Sequence, residues 1–377
     1  MTKQKFYSVE KILKEVPDAI YYMIIGERSN GKTFSVLEHA LKDYLEHGNQ
    51  LAVIRRWEED LKGRSGEGLF VSNFIENPFK GNYLKTLSKG EWNDFFLYSG
   101  KWYLQRKDEA GKVEKRDSRP FAFRFALTRS EHDKGTSYTG VKTILFDEFL
   151  TNKFYLPDEF KIFMNTLSTI IRIGEDGKTN QDVKIFMCGN TVNQFSPYFK
   201  EMGLKNIRDM KKDTIDVYTY GDSGLKVAVE YSSFPGGKKK SDKYFAFDNP
   251  TLKMITQGEW EIDVYPHKPM DFFITDIVFI YFIKFGGEVL QCEIVCKDDK
   301  SFTFIHRKTT PIKDDGCIVY QQEQSPLPNY ARLINRPRSK AEKRIWSFFA
   351  RGLVFYQDNE IGDLVRNYLA WCDDQRI

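Results

Sequence analysis

Eight consecutive residues, Gly26, Glu27, Arg28, Ser29, Asn30, Gly31, Lys32 and Thr33, fit the pattern G-x-x-x-x-G-K-T between an apolar run at 21–25 and an amphipathic segment reaching residue 45. That chemistry suits a nucleotide. Glycines let backbone N–H groups converge on phosphate oxygens, and a helix N-terminus adds a favourable field. A lysine in this place reaches the β- and γ-phosphates, and a threonine hydroxyl ligates magnesium. Lys32 and Thr33 take these roles, so ATP with Mg2+ is the expected ligand pair.

A second group of polar residues ends the apolar run Thr143-Ile144-Leu145-Phe146 with Asp147 and Glu148. Ligands of open α/β sheets gather at the carboxyl ends of parallel strands. Asp147 is expected to hold the magnesium ion, directly or through water. Glu148, one residue on, suits a group that polarises an attacking water, which favours hydrolysis over transfer to a metabolite. The apolar run 183–188 leads into Gly189, Asn190 and Thr191, and Asn190 is the candidate sensor of the γ-phosphate or the water. Arg172 ends a helix that begins near Pro157. A cation suits a helix C-terminus on its own account, and in a ring it could also enter a neighbour's site.

These groups need a scaffold that brings several strand ends together. Up to about residue 195, short apolar runs at 21–25, 51–54, 143–146 and 183–188 alternate with helical stripes. One stripe is Val36, Leu37, Ala40, Leu41, Tyr44 and Leu45; another is Phe160, Phe163, Met164, Leu167 and Ile171. The alternation predicts an α/β fold, a parallel P-loop sheet with helices on both faces. Within the long stretch between the second and third runs, 95–98 and 101–105 flank Ser99-Gly100 and predict a hairpin on one sheet edge.

Around 230–260 the composition changes to Ser232, Ser233, Pro235, Gly236, Gly237, three lysines and Asn249-Pro250, which breaks regular structure. The predicted division is an ATPase domain at 1–228, a connector at 229–260 and a smaller α+β domain at 261–377. Strands are expected at 272–285, 288–296, 302–306 and 318–320, followed by helices. Ser339 and Glu342 form an S-x-x-E capping box, and Ile361, Leu364, Val365, Tyr368 and Leu369 form a helical stripe.

The whole-chain figures agree. At about 150 residues per domain, 377 residues predict two domains with a connector. The 41% hydrophobic and 15% aromatic content excludes disorder as the main state. Five cysteines without a CxxC pair, Cys188, Cys292, Cys296, Cys317 and Cys372, support neither a disulfide framework nor a zinc ribbon and suit a reducing cytosol. The N-terminal residues lack an apolar signal core, and the longest apolar run, 277–283, is far below the roughly 20 residues of a membrane span.

A net charge of +4 says little as a total. Local clusters say more. Arg332, Arg336, Arg338, Lys340, Lys343, Arg344 and Arg351 stand against one acid, Glu342, and form a candidate nucleic-acid surface. Lys238, Lys239 and Lys240 form a second cluster, and Lys200, Lys205, Arg208, Lys211 and Lys212 a third. Each of these also reads as an ordinary solvated face. Trp346, Phe348 and Phe349 are read as core rather than as a base-stacking platform.

In order and spacing, YYMIIGERSNGKT, LAVIRRWEEDL, KTILFDEFL and IFMCGNTVNQFSPYF resemble the DNA-packaging ATPases of small tailed phages with protein-primed genomes, a branch related to terminase large subunits. The resemblance implies the P-loop class with an added strand and a catalytic glutamate (ASCE). It also implies a homomeric ring, a pentamer, that drives double-stranded DNA through the portal of a prohead, with a structural RNA as a further possible partner and no membrane. By position, Lys32 and Thr33 match the phosphate-binding pair, Asp147 the magnesium aspartate, Glu148 the catalytic glutamate and Arg172 a trans-acting arginine. Lys134 matches a second basic residue acting across the subunit interface. Arg55 and Arg56 follow the second strand as in the family, in a pocket or at an interface. The C-terminal part resembles an RNase H-like nuclease remnant, but the leading strand offers only Asp276, so nuclease activity is not expected. The implied setting is the cytoplasm of an infected bacterial host and, transiently, the portal vertex, but not the mature virion. Two alternatives stay open: another ring-forming translocase or helicase of the class, or an ATP-gated scaffold that does not hydrolyse.

Overall fold

The computed structural model describes residues 6–129, 138–151, 154–156, 158–171, 182–191, 196–207, 209–233, 265–312 and 316–375. The chain divides into two compact units. The first holds Met1–Thr151, Glu159–Val192 and Glu201–Glu261; the second holds Asn152–Asp158, Asn193–Lys200 and Ile262–Ile377. Arg172, Lys134 and Lys238 to Lys240 lie outside the described residues.

The first unit is built on β1 (Tyr21–Gly26), β2 (Gln50–Arg55), β3 (Asp94–Tyr98), β4 (Lys101–Lys107), β5 (Val113–Arg116), β6 (Ala122–Ala126), β7 (Val141–Asp147), β8 (Lys184–Asn190), β9 (Thr214–Tyr220) and β10 (Leu225–Ser232). Their order is β3-β4-β6-β2-β7-β8-β1-β10-β9, with β5 on β4. From β6 to β10 every neighbouring pair is parallel. All six residues of β1 are buried, which is why that strand reads as a continuous apolar run. β8 stands between β1 and β7, the added strand of the ASCE class. Its insertion puts Asn190 opposite Gly26 on one side and Cys188 opposite Asp147 on the other, so three strand ends finish together.

The helix Lys32–His47 buries Val36, Leu37, Ala40, Leu41 and Tyr44, the predicted stripe, while Leu45 is only partly covered. The predicted hairpin is present as β3 and β4 at one sheet edge, closed by Ser99 and Gly100 at φ 48° and 77°. Phe95 and Trp102 of the hairpin pack with Phe70, which also meets Phe121, and Trp102 donates to the Gly66 carbonyl at 3.1 Å. In the helix Glu159–Ile170 the buried side are Phe163, Thr166, Leu167 and Ile170, whereas Met164, expected inside, is exposed. The helix phase turns it away from the sheet.

The second unit contains β11 (Ile277–Phe285), β12 (Glu288–Lys297), β13 (Lys300–Arg307), β14 (Val319–Gln321), β15 (Tyr330–Ala331) and β16 (Val354–Tyr356), ordered β15-β14-β11-β12-β13-β16. β11, β12 and β13 are antiparallel, and β14 and β15 continue parallel to β11, the arrangement expected of an RNase H-like sheet. The leading strand starts at Ile277, not at Phe272. A single 3-10 turn at Ile274–Asp276 precedes it, and the Asp276 carboxylate accepts the Phe273 N–H at 2.8 Å, so this acid caps a turn. Two helices, Lys340–Ala350 and Asn359–Asp374, complete the unit. Ser339 accepts the Glu342 N–H at 3.1 Å, and the return bond goes from the Arg338 N–H to Glu342, one residue off the expected box. The expected connector boundary at 228/229 falls inside β10, which runs through Ser232. Among the described residues no helix is long and apolar enough to cross a membrane.

Candidate active site

The phosphate-binding candidates form the turn that leaves β1. Gly26 has φ 150°, and a Cβ there would stand 2.1 Å from the Ser232 carbonyl oxygen, so the close approach of β10 demands glycine. Ser232 links the two strands: its hydroxyl donates to the Ile25 carbonyl at 2.9 Å and accepts from the Asn30 amide at 3.0 Å. Asn30 Oδ1 accepts the Lys32 N–H at 3.2 Å. The segment before α-structure begins joins in, since the Tyr7 N–H donates to the Asn30 carbonyl at 2.9 Å and the Val9 N–H to Ser35 at 2.8 Å. Tyr7 also donates its hydroxyl to Glu230 on β10 at 2.6 Å, and burial holds the Glu230 carboxyl above its usual range.

Lys32 is 5% exposed. Its ammonium donates to the Gly26 and Glu27 carbonyls at 3.3 and 2.6 Å, to Asn30 Oδ1 at 3.2 Å and to Asn190 Oδ1 at 3.2 Å. Carbonyl and amide dipoles thus surround a buried cation. Thr33 donates its hydroxyl to Asp147 Oδ1 at 2.7 Å. The structure therefore brings together Gly26 to Thr33, Asp147 and Asn190 at the ends of β1, β7 and β8.

Two arginines flagged beside β2 are part of the same region. Arg55 donates to Asp147 Oδ2 at 2.5 Å, opposite the oxygen that Thr33 holds. Burial alone would lower the pKa of this guanidinium, but the Asp147 carboxylate outweighs it and raises it. Arg56 makes a buried bidentate pair with Glu159, Nε and Nη2 each at 2.8 Å. The same guanidinium donates to the Glu148 and Phe149 carbonyls at 3.3 and 2.8 Å. Glu148 itself is exposed, with φ 58°. A left-handed backbone costs a residue with a Cβ about 1–2 kcal/mol, so its surroundings must hold it there.

Glu159, Ser232, Tyr7 and Glu230 have no short-range signal in the sequence; each meets its partner through the sheet. Of the basic clusters, Arg336, Arg338, Lys340, Lys343 and Arg344 are all exposed. In the third cluster Lys200 is engaged with Glu288 at 2.7 Å.

Thr33 and Asp147 offer hydroxyl and carboxylate oxygens, the hard donors that magnesium prefers, on adjoining elements. Residues 113–242 match the model of the family described as Podovirus DNA encapsidation protein (Gp16). The chain is 26% identical over 190 residues to the DNA packaging protein of Bacillus phage B103, covering 50% of this chain and 49% of that relative. It is 23% identical over 236 residues to the DNA packaging protein of Bacillus phage phi29, covering 62% and 60%. The match thus spans about half to three fifths of these relatives. The solved bacteriophage phi29 viral genome packaging motor assembly shares the fold with a TM-score of 0.55 at 17% identity, over 96% of this chain and 98% of that one. Family segment, relatives and fold agree, and the chain is similar to the DNA-packaging proteins of small tailed phages.

Proposed function

We propose that the chain is the ATP-hydrolysing subunit of a motor that drives double-stranded DNA into a phage prohead through its portal. The observation that carries this reading is the convergence of Lys32, Thr33, Asp147 and Asn190 at the carboxyl ends of β1, β7 and β8, with Glu148 next to Asp147. Likeness to DNA packaging proteins supports the DNA substrate.

In this reading Gly26 to Thr33 wrap the phosphates, and the Lys32 ammonium exchanges carbonyl partners for phosphate oxygens. Thr33 and Asp147 would hold Mg2+, which would supply neutralising charge to the phosphates when bound. Glu148 orients a water for in-line attack on the γ-phosphorus and accepts its proton while the bond to the β–γ bridging oxygen breaks and ADP leaves. Asn190 couples that chemistry to β8 through its contact with Lys32. Arg172 and Lys134 act on a neighbouring subunit's site, in a homomeric ring of five. The exposed Arg336, Arg338, Lys340, Lys343 and Arg344 meet phosphates of DNA or of a structural RNA, and Lys238 to Lys240 add to that charge. The second unit serves docking rather than strand cleavage, since Asp276 is engaged in capping a turn. The motor works in the host cytoplasm and at the portal vertex.

Glu148→Gln tests the assignment. ATP binding should persist while hydrolysis falls by about 10²–10⁴-fold, the range for a positioned general base. Turnover at the unsubstituted rate would sink it.

A further inference from the structure

We propose that Arg56 is a positioning residue for Glu148: its guanidinium, fixed by Glu159, sets the left-handed turn from which the Glu148 carboxylate projects. The inference rests on the reading of Glu148 as the hydrolytic base and adds the device that aims it.

Arg56 is 5% exposed and Glu159 1% exposed. Two guanidinium nitrogens are committed to Glu159, the first residue of the helix Glu159–Ile170. The guanidinium also donates to two successive backbone carbonyls, Nη1 to Glu148 and Nη2, shared with Glu159, to Phe149. Those carbonyls bracket the peptide that follows the left-handed residue at φ 58°. A planar fork that bonds a carboxylate on one side and two carbonyls on the other fixes that turn relative to both β2 and the helix.

The opposite side of the turn is closed as well. The Phe149 N–H donates to the Cys188 carbonyl of β8 at 3.2 Å. A Cβ on Gly189 would come within 2.8 Å of the Phe149 ring and 2.9 Å of Leu150. Glu148 is therefore the exposed tip of a turn gripped between β2 and β8, and its direction is set by buried partners. A carboxylate on a free loop would need to find the attack geometry at every turnover, and small misplacement of such a group costs about 10²-fold in rate.

Arg56→Lys keeps the charge but cannot span Glu159 and both carbonyls with one ammonium. Steady-state ATP hydrolysis by the full chain should show kcat reduced about 10–100-fold with KM for ATP nearly unchanged. In a Glu148→Gln background the same change should add nothing, because both substitutions remove one function. Glu159→Gln, which loosens the guanidinium but leaves its donors for both carbonyls, should lower the melting temperature and reduce kcat by less than Arg56→Lys does. If Arg56→Lys does not fold, Gly189→Ala, which pushes the turn from the β8 side, should give the same fall in kcat. Equal losses in both Glu148 backgrounds, a kcat that simply tracks melting temperature, or an unaltered Gly189→Ala would overturn the role of Arg56. Full turnover by Glu148→Gln alone would instead remove the underlying reading.

Discussion

The two units bury different things. The first encloses Lys32, Arg56, Asp147, Glu159 and Glu230, which lie at or near the carboxyl ends of its central strands or bond to groups there. Among the described residues of the second, Glu293 is the charged side chain that is buried, and the core is aromatic, with Tyr281, Phe285, Tyr320, Tyr368 and Trp371. Removing an ion from water costs several kcal/mol even after relaxation, and a buried pair recovers this only with good geometry. A fold assembled for stability alone has little reason to gather such groups. Their concentration beside β1, β2, β7 and β8, and their scarcity in the second unit, is the distribution that the proposed division into a chemical sheet and a docking sheet expects.

Substituting one cation in each unit should break or sharpen that contrast most strongly. Lys32→Ala should weaken ATP binding by about 10–100-fold, as expected when a charged hydrogen-bond donor is lost. Lys284→Ala on β11, whose ammonium lies over the Tyr330 ring, should leave it unchanged. Titration with a fluorescent nucleotide reads both, and equal weakening would erase the distinction.

A smaller effect is expected from Gly362→Ala in the second unit. The new Cβ would stand 2.2 Å from the Tyr265 ring, whose hydroxyl is tied to Asp363 at 2.9 Å. Overpacking of this kind costs about 1–3 kcal/mol, more than the 0.5–1 kcal/mol or so that alanine gains over glycine in a helix. Thermal unfolding should show the loss while nucleotide affinity stays the same. A fall in affinity would mean that the second unit shapes the nucleotide site.

The smallest effect is a pH dependence. His306 faces Glu293 at 3.3 Å, a bond that raises its pKa above the ordinary value, while Lys308 nearby and burial oppose the rise. The Glu293 carboxyl, which burial would raise, is held low by His306 and Gln291. A group with a raised folded pKa contributes below its unfolded value of about 6.5 and loses that contribution as pH rises through the folded value. The second unit should therefore lose up to about 1 kcal/mol between mildly acidic and mildly alkaline pH, less because the imidazole is partly exposed. His306→Gln should flatten the pH profile of the melting temperature, and a profile unchanged by that substitution would assign the dependence to other groups.

The site was legible where its chemistry is local. Gly26 to Thr33 and Asp147-Glu148 sit at strand ends, and a strand end is marked by an apolar run that stops. Arg56 was visible only as a basic residue after a strand, because its partner Glu159 is 103 positions away and becomes a neighbour through the sheet order. Ser232 joins the phosphate-binding turn in the same way, from 202 positions beyond Asn30. β9 and β10 lack a clear mark in the sequence for a different reason: β9 alternates exposed and half-covered residues such as Asp216 and Val217, and the apolar stretch of β10 runs straight into residues that break structure. In the second unit β11 to β14 are marked in the sequence while the two- and three-residue β15 and β16 are not, and β11 starts later than expected, since Phe272 and Phe273 look like strand residues until Asp276 turns the backbone beneath them.

The neighbours of β1 have a consequence for synthesis. Both strands that flank it, β8 and β10, lie more than 150 residues further along the chain, since β8 opens at Lys184 and β10 at Leu225. A nascent chain that has emerged only as far as β7 has β1 unpaired on both sides, and the loop that would hold a nucleotide has no framework. Non-local pairings of this kind form slowly and leave apolar strand edges open while they wait. The framework of the Gly26 to Thr33 loop is therefore complete only once β8 and β10 have both been synthesised.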